Sequence, residues 1–410
     1  MSDLIKLGET DIELIDGDRG NNYPSKSDFF EKEFCLFLDA NNISNNGFDF
    51  SSTHFITKEK DEKLKKGKLQ KNDIVMMTRG SVGNVALYDE SVPFNNIRIN
   101  SGMLIIRCHN DYNPLFLYYM LKSEFIRKQI DDIMSGSVQK QLPVSVLQNL
   151  LLFPENEKSE IIETLSIIDK KIKNNNVINA DLEEMAKTIY DYWFLQFEFP
   201  DEEGKPYKSS GGKTVWNEKL KREIPEGWEY INLENIVQIT MGSSPKGVSL
   251  NNYGEGIVFY QGNSDFGDRF PRERVYTNAP VRYAEEYDIL LSVRAPVGEL
   301  NIADKKCCIG RGLAAIHSKY PSFTYYLLLS NLAQFYKYNN DGTTFGAITK
   351  KELQDIKVII PKEALQKEFN DRIGTIDKQI FLLSKENQEL TSLRDFLLPL
   401  LMNGQVSFKE

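Results

Sequence analysis

Few residues of this chain have the types and spacing that catalysis requires. Residues 211–214, Gly-Gly-Lys-Thr, resemble the end of a phosphate-binding loop, but Tyr207 stands where the first glycine is needed. The carboxylates of residues 201–203 share one acidic segment, whereas a nuclease metal site draws them from separate strands. No histidine is spaced for a zinc site or lies beside a nucleophile; the three are His54, His109 and His317. Since the Asp/Asn-Pro-Pro-aromatic tetrapeptide of adenine methyltransferases is also missing, the sequence indicates no catalytic centre.

Two arginines in equivalent surroundings point instead to binding. Arg79 and Arg294 each follow an apolar, strand-like run and begin a turn of small residues. An arginine held in such a turn can contact a guanine edge with two hydrogen bonds or clamp a phosphate. The alternative is a structural arginine paired with a neighbouring carboxylate, Asp73 in the first case and Asp288 in the second.

The loops around these arginines are rich in groups suited to DNA. Residues 17–24 and 242–245 form tight turns whose backbone amides and short polar side chains favour anions. The two turns differ in sequence, as expected of two domains that read different targets, although such composition also occurs in inert loops. The further candidate DNA-binding residues are Arg19, Asn22, Tyr23, Ser81, Gln139, Lys140, Gln141, Ser244, Asn263, Arg311, Thr343 and Thr344.

A lysine-rich segment, residues 58–71, carries seven lysines against three acidic residues. It is either a solvated loop face or an edge that contacts phosphates, and the sequence leaves both interpretations open. The net charge of −9 argues against coating of nucleic acid by bulk electrostatics, but it allows local basic surfaces.

The motif around each arginine belongs to a long internal repeat. Residues 72–83 return as 287–298, residues 99–102 as 309–312, and residues 168–172 as 376–380, always in the same order. A period of this length predicts two duplicated domains and excludes a solenoid of small units. Both copies alternate short β-rich runs with turns, which predicts an α+β fold with pseudo-twofold symmetry.

At 410 residues the chain is long enough for two or three domains. We expect a first recognition domain over 1–154, a central helical region over 155–198, a linker over 199–228, a second recognition domain over 229–361 and a C-terminal helical region over 362–410. No apolar run is long enough for a membrane span, and neither a secretory signal nor a disulfide pattern is visible. We therefore expect a cytoplasmic protein with reduced cysteines.

Two long segments change to helical periodicity, with apolar residues at alternating steps of three and four. Such a seam predicts that the two helices pair as a coiled coil, and Asn179 and Asn387 occupy equivalent seam positions that would fix the register. The alternative is two unrelated amphipathic helices, each lying on its own domain. The predicted seam residues are Leu165, Ile168, Ile172, Asn179, Leu182 and Ile189 in the first helix, and Ile373, Ile376, Ile380, Asn387, Leu390 and Leu397 in the second.

Over essentially its whole length the chain resembles the specificity subunit of type I restriction–modification systems. The runs that carry the resemblance are SVRAPVGELNIA and GRGLAAI within 292–316, YDYWFLQFEFP at 190–200, IPEGWE at 224–229 and LLPLLMNGQV at 397–406. The first copy departs from the second at Gly80-Ser81, where the second has Ala295-Pro296.

The resemblance implies two target recognition domains that each read half of a split duplex DNA sequence through the major groove. It also implies that the helices form an antiparallel coiled coil; a helix of about 29 residues would span about 43 Å between the half-sites. Catalysis would lie in partners: modification subunits that use S-adenosylmethionine, and restriction subunits that use ATP with Mg²⁺. The chain itself would bind no cofactor.

Two other functions remain open at this point. A fused methyltransferase–nuclease carries similar recognition domains, but no stretch of this chain remains for a catalytic core. A solitary regulatory or antirestriction decoy subunit would bind the partners without productive DNA recognition, and the sequence does not exclude it.

Overall fold

The computed structural model describes residues 4–44, 47–135, 141–154, 159–339 and 346–402. The chain divides into two compact units, Met1–Ile172 with Glu389–Glu410, and Lys173–Gln388. Both long helices thus contribute to both units, whereas the sequence suggested separate helical regions. Within the described ranges, no helix is both long enough and apolar enough to cross a membrane.

The first unit is built mainly from short strands. Its strands are β1 (Ile5–Lys6), β2 (Glu13–Asp16), β3 (Cys35–Phe37), β4 (Ile43–Ser44), β5 (Gly47–Phe48), β6 (Phe55–Ile56), β7 (Ile74–Met77), β8 (Val85–Leu87), β9 (Ile97–Arg98), β10 (Met103–Arg107) and β11 (Leu151–Leu152). Its helices are α1 (Lys58–Lys63), α2 (Pro114–Lys122), α3 (Glu124–Ser135), α4 (Val144–Leu147) and the first part of α5 (Ser159–Tyr190).

An antiparallel sheet in the order β2-β10-β7-β8 forms the centre of this unit. All four residues of β7 are buried, because helix α2 and the long helices cover one face of the sheet and a second apolar cluster covers the other. Pro114 begins α2, and the Asn113 side chain accepts the amide of Leu115 at 2.9 Å, which caps the helix. Strand β3 pairs with β6 and, in parallel, with β9.

The second unit has its own set of strands and helices. Its strands are β12 (Thr214–Asn217), β13 (Arg222–Pro225), β14 (Glu229–Asn232), β15 (Gln238–Met241), β16 (Leu250–Asn251), β17 (Ile257–Tyr260), β18 (Tyr276–Thr277), β19 (Tyr283–Ala284), β20 (Ile289–Ser292), β21 (Leu300–Ile302), β22 (Cys307–Ile309), β23 (Leu313–His317) and β24 (Lys357–Ile360). Its helices are α6 (Pro321–Ser330), α7 (Leu332–Tyr336), α8 (Lys350–Asp355) and much of α9 (Glu363–Met402).

The predicted duplication is confirmed by the strand order. The second unit has a four-stranded antiparallel sheet, β15-β23-β20-β21, that matches β2-β10-β7-β8 strand for strand. The parallel pair β17–β22 matches β3–β9, and the terminal pair β14–β24 matches β1–β11. Each copy thus has an α+β fold around its own apolar core.

Residues 199–228 differ from the linker that their composition suggested. Strands β12 and β13 form a hairpin in this segment, and Ile224 and Trp228 are buried in the core of the second unit. The ring of Phe199 stacks on that of Tyr207 at 4.5 Å and on that of Trp228 at 5.4 Å. Polar turn residues dominate the composition, but these few aromatic rings anchor the segment to the core.

Helices α5 and α9 contact each other within each unit. In the first unit, Nη1 of Arg394 lies 2.8 Å from Oδ1 of Asp169. In the second, Asn175 donates to Asn387 at 2.9 Å and Asn179 donates to Ser384 at 3.2 Å, so positions advance along one helix as they recede along the other. Asn179 and Asn387 do not bond to each other, and the deeply buried asparagine is Asn175.

The predicted seam residues lie on the inward faces of these helices. Leu165, Ile168, Ile373 and Ile380 are buried. The others are half-buried: Ile172, Asn179, Leu182, Ile189, Ile376, Asn387, Leu390 and Leu397.

Candidate nucleic-acid interface

In the first unit, Arg79 occupies the turn that follows β7. Its backbone amide donates to the carbonyl of Gly102 at 3.2 Å, and its exposed guanidinium donates through Nη2 to Oε1 of Gln141 at 2.6 Å. Asp73 does not pair with Arg79, because it accepts two hydrogen bonds from Arg107 at 2.8 Å each. The ion pair between Arg79 and Asp73, which the sequence left open, is therefore not formed.

The loop of residues 17–23 lies beside this turn. A Cβ atom on Gly17 would stand 2.1 Å from the carbonyl oxygen of Asn100, so only glycine permits the contact. Nη2 of Arg19 lies 3.3 Å from Oδ1 of Asp16 and 3.5 Å from the carbonyl of Ser101. The amide of Ser101 in turn donates to the hydroxyl of the half-buried Tyr23 at 3.4 Å.

Two more predicted residues of this unit are exposed. Ser81 lies in the turn after Arg79. Asn22 donates through Nδ2 to the carbonyl of Lys63 at 3.3 Å, which joins its loop to the lysine-rich segment. The structure thus gathers Arg19, Tyr23 and Arg79 around one turn, residues 100–102.

In the second unit, Arg294 follows β20 as Arg79 follows β7. The neighbouring amide of Val293 donates to the carbonyl of Gly312 at 2.9 Å. The Arg294 guanidinium is exposed and forms no ion pair or hydrogen bond with any residue that the structure describes. Asp288 instead lies 2.6 Å from Nδ1 of His317.

The other candidates of this unit surround residues 310–312. The hydroxyl of Ser244 donates to Oε1 of Gln261 at 3.0 Å and accepts the amide of Arg311 at 3.3 Å. The Arg311 side chain is exposed, and Asn263 is half-buried in a short helical turn two residues after Gln261. Arg294, Arg311 and Ser244 thus lie at one edge of the domain, where the two arginines are exposed and Ser244 is held by Gln261.

The two loops that differ in sequence hold the same place in their domains. A Cβ atom on Gly242 would lie 2.1 Å from the carbonyl oxygen of Gly310, which repeats the contact of Gly17 with Asn100. Sequence reasoning did not select Ser101 or Gln261, although both hold candidate residues in place. The repeated motif at 99–102 and 309–312 was the signal that could have identified Ser101.

Four predicted DNA-binding residues lie outside the described ranges: Gln139, Lys140, Thr343 and Thr344. The described candidates supply guanidinium, hydroxyl and amide groups, which are the donors and acceptors used to contact phosphates and base edges. In both units these groups lie on turns supported by buried strands, so a rigid scaffold positions them.

Known proteins resemble this chain over most of its length. Residues 11–184 and 225–392 match the model of the type I restriction modification DNA specificity domain. The chain is 33% identical over 380 residues to the putative type I restriction enzyme MjaX specificity subunit of Methanocaldococcus jannaschii, covering 90% of this chain and 86% of that protein. It is 25% identical over 359 residues to the MjaIX specificity subunit of the same organism, covering 83% and 79% of the two chains.

A solved structure agrees on the fold. The crystal structure of the type I restriction–modification system S subunit from M. genitalium has a TM-score of 0.55 and 18% identity, and covers 97% of this chain and 95% of that one. The two family matches fall on the two copies that the strand order identifies. The chain therefore belongs to the family of type I restriction–modification specificity subunits, which are DNA-binding and non-catalytic.

Proposed function

We propose that each recognition domain reads one half of a bipartite duplex DNA target. The observation that supports this most directly is an exposed arginine, Arg79 or Arg294, in the same post-strand turn of both copies. The first half-site would be contacted by Arg19, Asn22, Tyr23, Arg79, Ser81, Gln139, Lys140 and Gln141. The second would be contacted by Ser244, Asn263, Arg294, Arg311, Thr343 and Thr344.

Helices α5 and α9 would form an antiparallel coiled coil that sets the spacer between the half-sites. The opposed order of the asparagine and serine contacts in the second unit supports this pairing. The helices also carry exposed apolar side chains, among them Ile167 at 57%, Met185 at 53% and Phe396 at 65% exposure. Because the exposure of apolar side chains to water is unfavourable, these residues support docking of the modification subunits on the helices.

Catalysis would belong to the partners. Modification subunits would bind S-adenosylmethionine, and restriction subunits would use ATP and Mg²⁺, while this chain supplies sequence recognition. This division agrees with a family whose specificity subunits are non-catalytic.

A genome-wide map of adenine methylation, made with and without this gene, tests the proposal. Loss of one split motif on deletion, restored by complementation, would support it and would identify both half-sites. An unchanged map would contradict the proposal and favour the solitary decoy subunit. Co-purification with active modification subunits would then separate a decoy from a partnerless chain.

Arg294→Ala tests the site at the level of one residue. We expect specific DNA binding by the assembled complex to weaken by about 1–3 kcal/mol, because a bidentate base contact or a phosphate clamp is lost. Arg222→Ala is the matched control, since Arg222 is an exposed arginine of the hairpin that stacks on Phe197. Unchanged affinity in a folded Arg294→Ala complex would mean that Arg294 does not contact DNA.

A further inference from the structure

Four of the seven lysines in residues 58–71 lie within 4.0 Å of a carboxylate. Nζ of Lys60 lies 3.1 Å from Asp28, and Nζ of Lys68 lies 2.5 Å from Asp61. Two weaker pairs join Lys58 to Glu62 at 4.0 Å and Lys71 to Glu90 at 3.7 Å. These four lysines are accounted for by contacts within the protein.

The remaining three are Lys63, Lys65 and Lys66, which follow one another along the chain with Leu64 between the first two. All three are exposed, and none forms an ion pair with a residue in the described ranges. Leu64 is only 4% exposed and anchors the segment in the core. The segment therefore holds three ammonium groups in solvent on a fixed backbone.

A buried arginine holds that backbone in place. Arg98, 6% exposed, donates through Nη1 to the carbonyl of Lys66 at 2.7 Å and through Nη2 to the carbonyl of Leu64 at 3.0 Å. Its Nε lies 2.5 Å from Oδ1 of the buried Asp61, which balances its charge. Because these bonds leave the guanidinium few free donors, Arg98 is a positioning residue for the lysine segment.

The segment lies against the loop that carries the candidate DNA-binding residues. The amide of Lys65 donates to Oδ2 of Asp18 at 2.8 Å, and Asn22 bonds the carbonyl of Lys63. A Cβ atom on Gly67 would stand 3.3 Å from the Cα atom of Gly17. Asp18 is a nearby carboxylate, but backbone amides of Gly20 and Lys65 already engage it and lower its pKa.

The second copy has no counterpart of the three lysines or of Arg98. The bond from the Ile99 amide to the carbonyl of Gly67, 2.9 Å long, recurs as the bond from Ile309 to Arg282, also 2.9 Å. The four residues before Arg282 are Asn-Ala-Pro-Val, and the position of Arg98 is occupied by the buried Cys308. At this edge the two domains share a backbone, but the first carries three exposed lysines in residues 63–67 where the second carries one exposed arginine, Arg282, in residues 278–282. The two segments thus differ by two positive charges.

We propose that Lys63, Lys65 and Lys66 form a phosphate-binding edge in the first recognition domain, whereas the equivalent segment of the second domain offers a single cation, Arg282. This inference rests on the proposed DNA recognition and adds an asymmetry to it. The first half-site would be bound with more counterion release, so its binding would depend more steeply on salt than that of the second.

The test replaces all three lysines by glutamine in the full chain, assembled with its modification subunits. Affinity is measured against salt concentration for a duplex with the mapped target and for an unrelated duplex. We expect the slope of log affinity against log salt to become shallower by roughly 2 to 3, since each phosphate contact contributes about 0.9. The control removes the same charge from three exposed lysines of the hairpin segment: Lys208→Gln, Lys219→Gln and Lys221→Gln.

The proposal is supported if the slope falls on both duplexes while the control keeps the parental slope. An unchanged slope would overturn it, and so would an equal change in the control, which would reflect net charge alone. Weaker binding confined to the mapped target would also overturn it, because the lysines would then contact bases. If the parental complex shows no preference for the mapped target, the proposed function itself fails, and the two failures are thereby distinguished.

Discussion

A buried arginine in the second unit offers a sharp test of how its recognition domain is attached to the long helices. Arg269 is 3% exposed; its Nη2 lies 2.6 Å from Asp377 of α9, and its Nη1 lies 3.5 Å from Glu183 of α5. The guanidinium also lies 3.9 Å from the ring centroid of Tyr325 and donates to the hydroxyl of Tyr326 at 3.3 Å. We therefore consider Arg269→Met, which keeps much of the side-chain volume but removes the charge.

The expected loss follows from these contacts. Removal of one partner from a buried ion pair costs about 3–5 kcal/mol, because the remaining charge is left without compensation. Asp377 and Glu183 retain 18% and 40% exposure, so water can solvate them in part and the lower end applies. Burial already raises the pKa of Glu183, and Arg269 opposes that rise. We expect the free energy of unfolding of the second unit to fall by about 3 kcal/mol.

Tryptophan fluorescence during urea denaturation measures this unit selectively. All three tryptophans, Trp193, Trp216 and Trp228, belong to residues 173–388. The double variant Arg269→Met with Asp377→Asn should recover part of the loss, since it removes the stranded carboxylate as well. The exposed Arg282→Met is the matched control and should leave the midpoint unchanged. A loss below about 1 kcal/mol, or a double variant no more stable than the single one, would refute the reasoning.

Two further predictions concern a titrating lysine and a close backbone contact. Burial lowers the pKa of Lys122 to about 8, whereas the pKa of a lysine in the unfolded chain is about 10.4. The unfolded chain therefore binds more protons between these two pH values. The free energy of unfolding should rise with pH across that window by up to roughly 3 kcal/mol. Denaturation followed by far-UV circular dichroism at a series of pH values should show this rise in the parent and not in Lys122→Met. A parallel pH dependence in both proteins would contradict the prediction. Gly242→Ala would place a Cβ atom 2.1 Å from the carbonyl of Gly310, and should cost about 1–3 kcal/mol by tryptophan fluorescence. Gly247→Ala, with no atom within 4 Å of its Cβ, should cost little, and equal losses would show that sterics are not the cause.

The duplicated scaffold was predictable because the repeated residues build the core of each copy. The motif around Asp73 and Asp288 recurs at the start of the central strands β7 and β20, where each residue has a fixed environment. The close approach of Gly17 to Asn100 and of Gly242 to Gly310 was not predictable, because it is a contact between backbone atoms and leaves no shared side chains nearby. Sequence comparison therefore identified the strands and paired the loops at 17–24 and 242–245, but it did not reveal the backbone contact that the two loops share.

The helices show a second limit. Heptad spacing selected inward-facing positions, and none of the predicted seam residues is exposed. Spacing alone did not indicate that Asn175 would be the buried asparagine, because depth depends on which residues of the other helix lie opposite. The hairpin at 214–225 was missed for a related reason, since a few buried aromatic residues outweigh a polar composition.

The exchange of Arg98 for Cys308 has a consequence for chimeric proteins. A lysine segment grafted from the first domain onto the second would arrive without the guanidinium that holds its carbonyl groups, and in its place would meet a thiol. The graft would need an arginine at position 308 and an aspartate equivalent to Asp61 to balance it. The exposed lysines and the buried residues that hold their backbone must therefore be transplanted together. The boundaries of an exchangeable module are set by these buried partners as much as by the exposed loop.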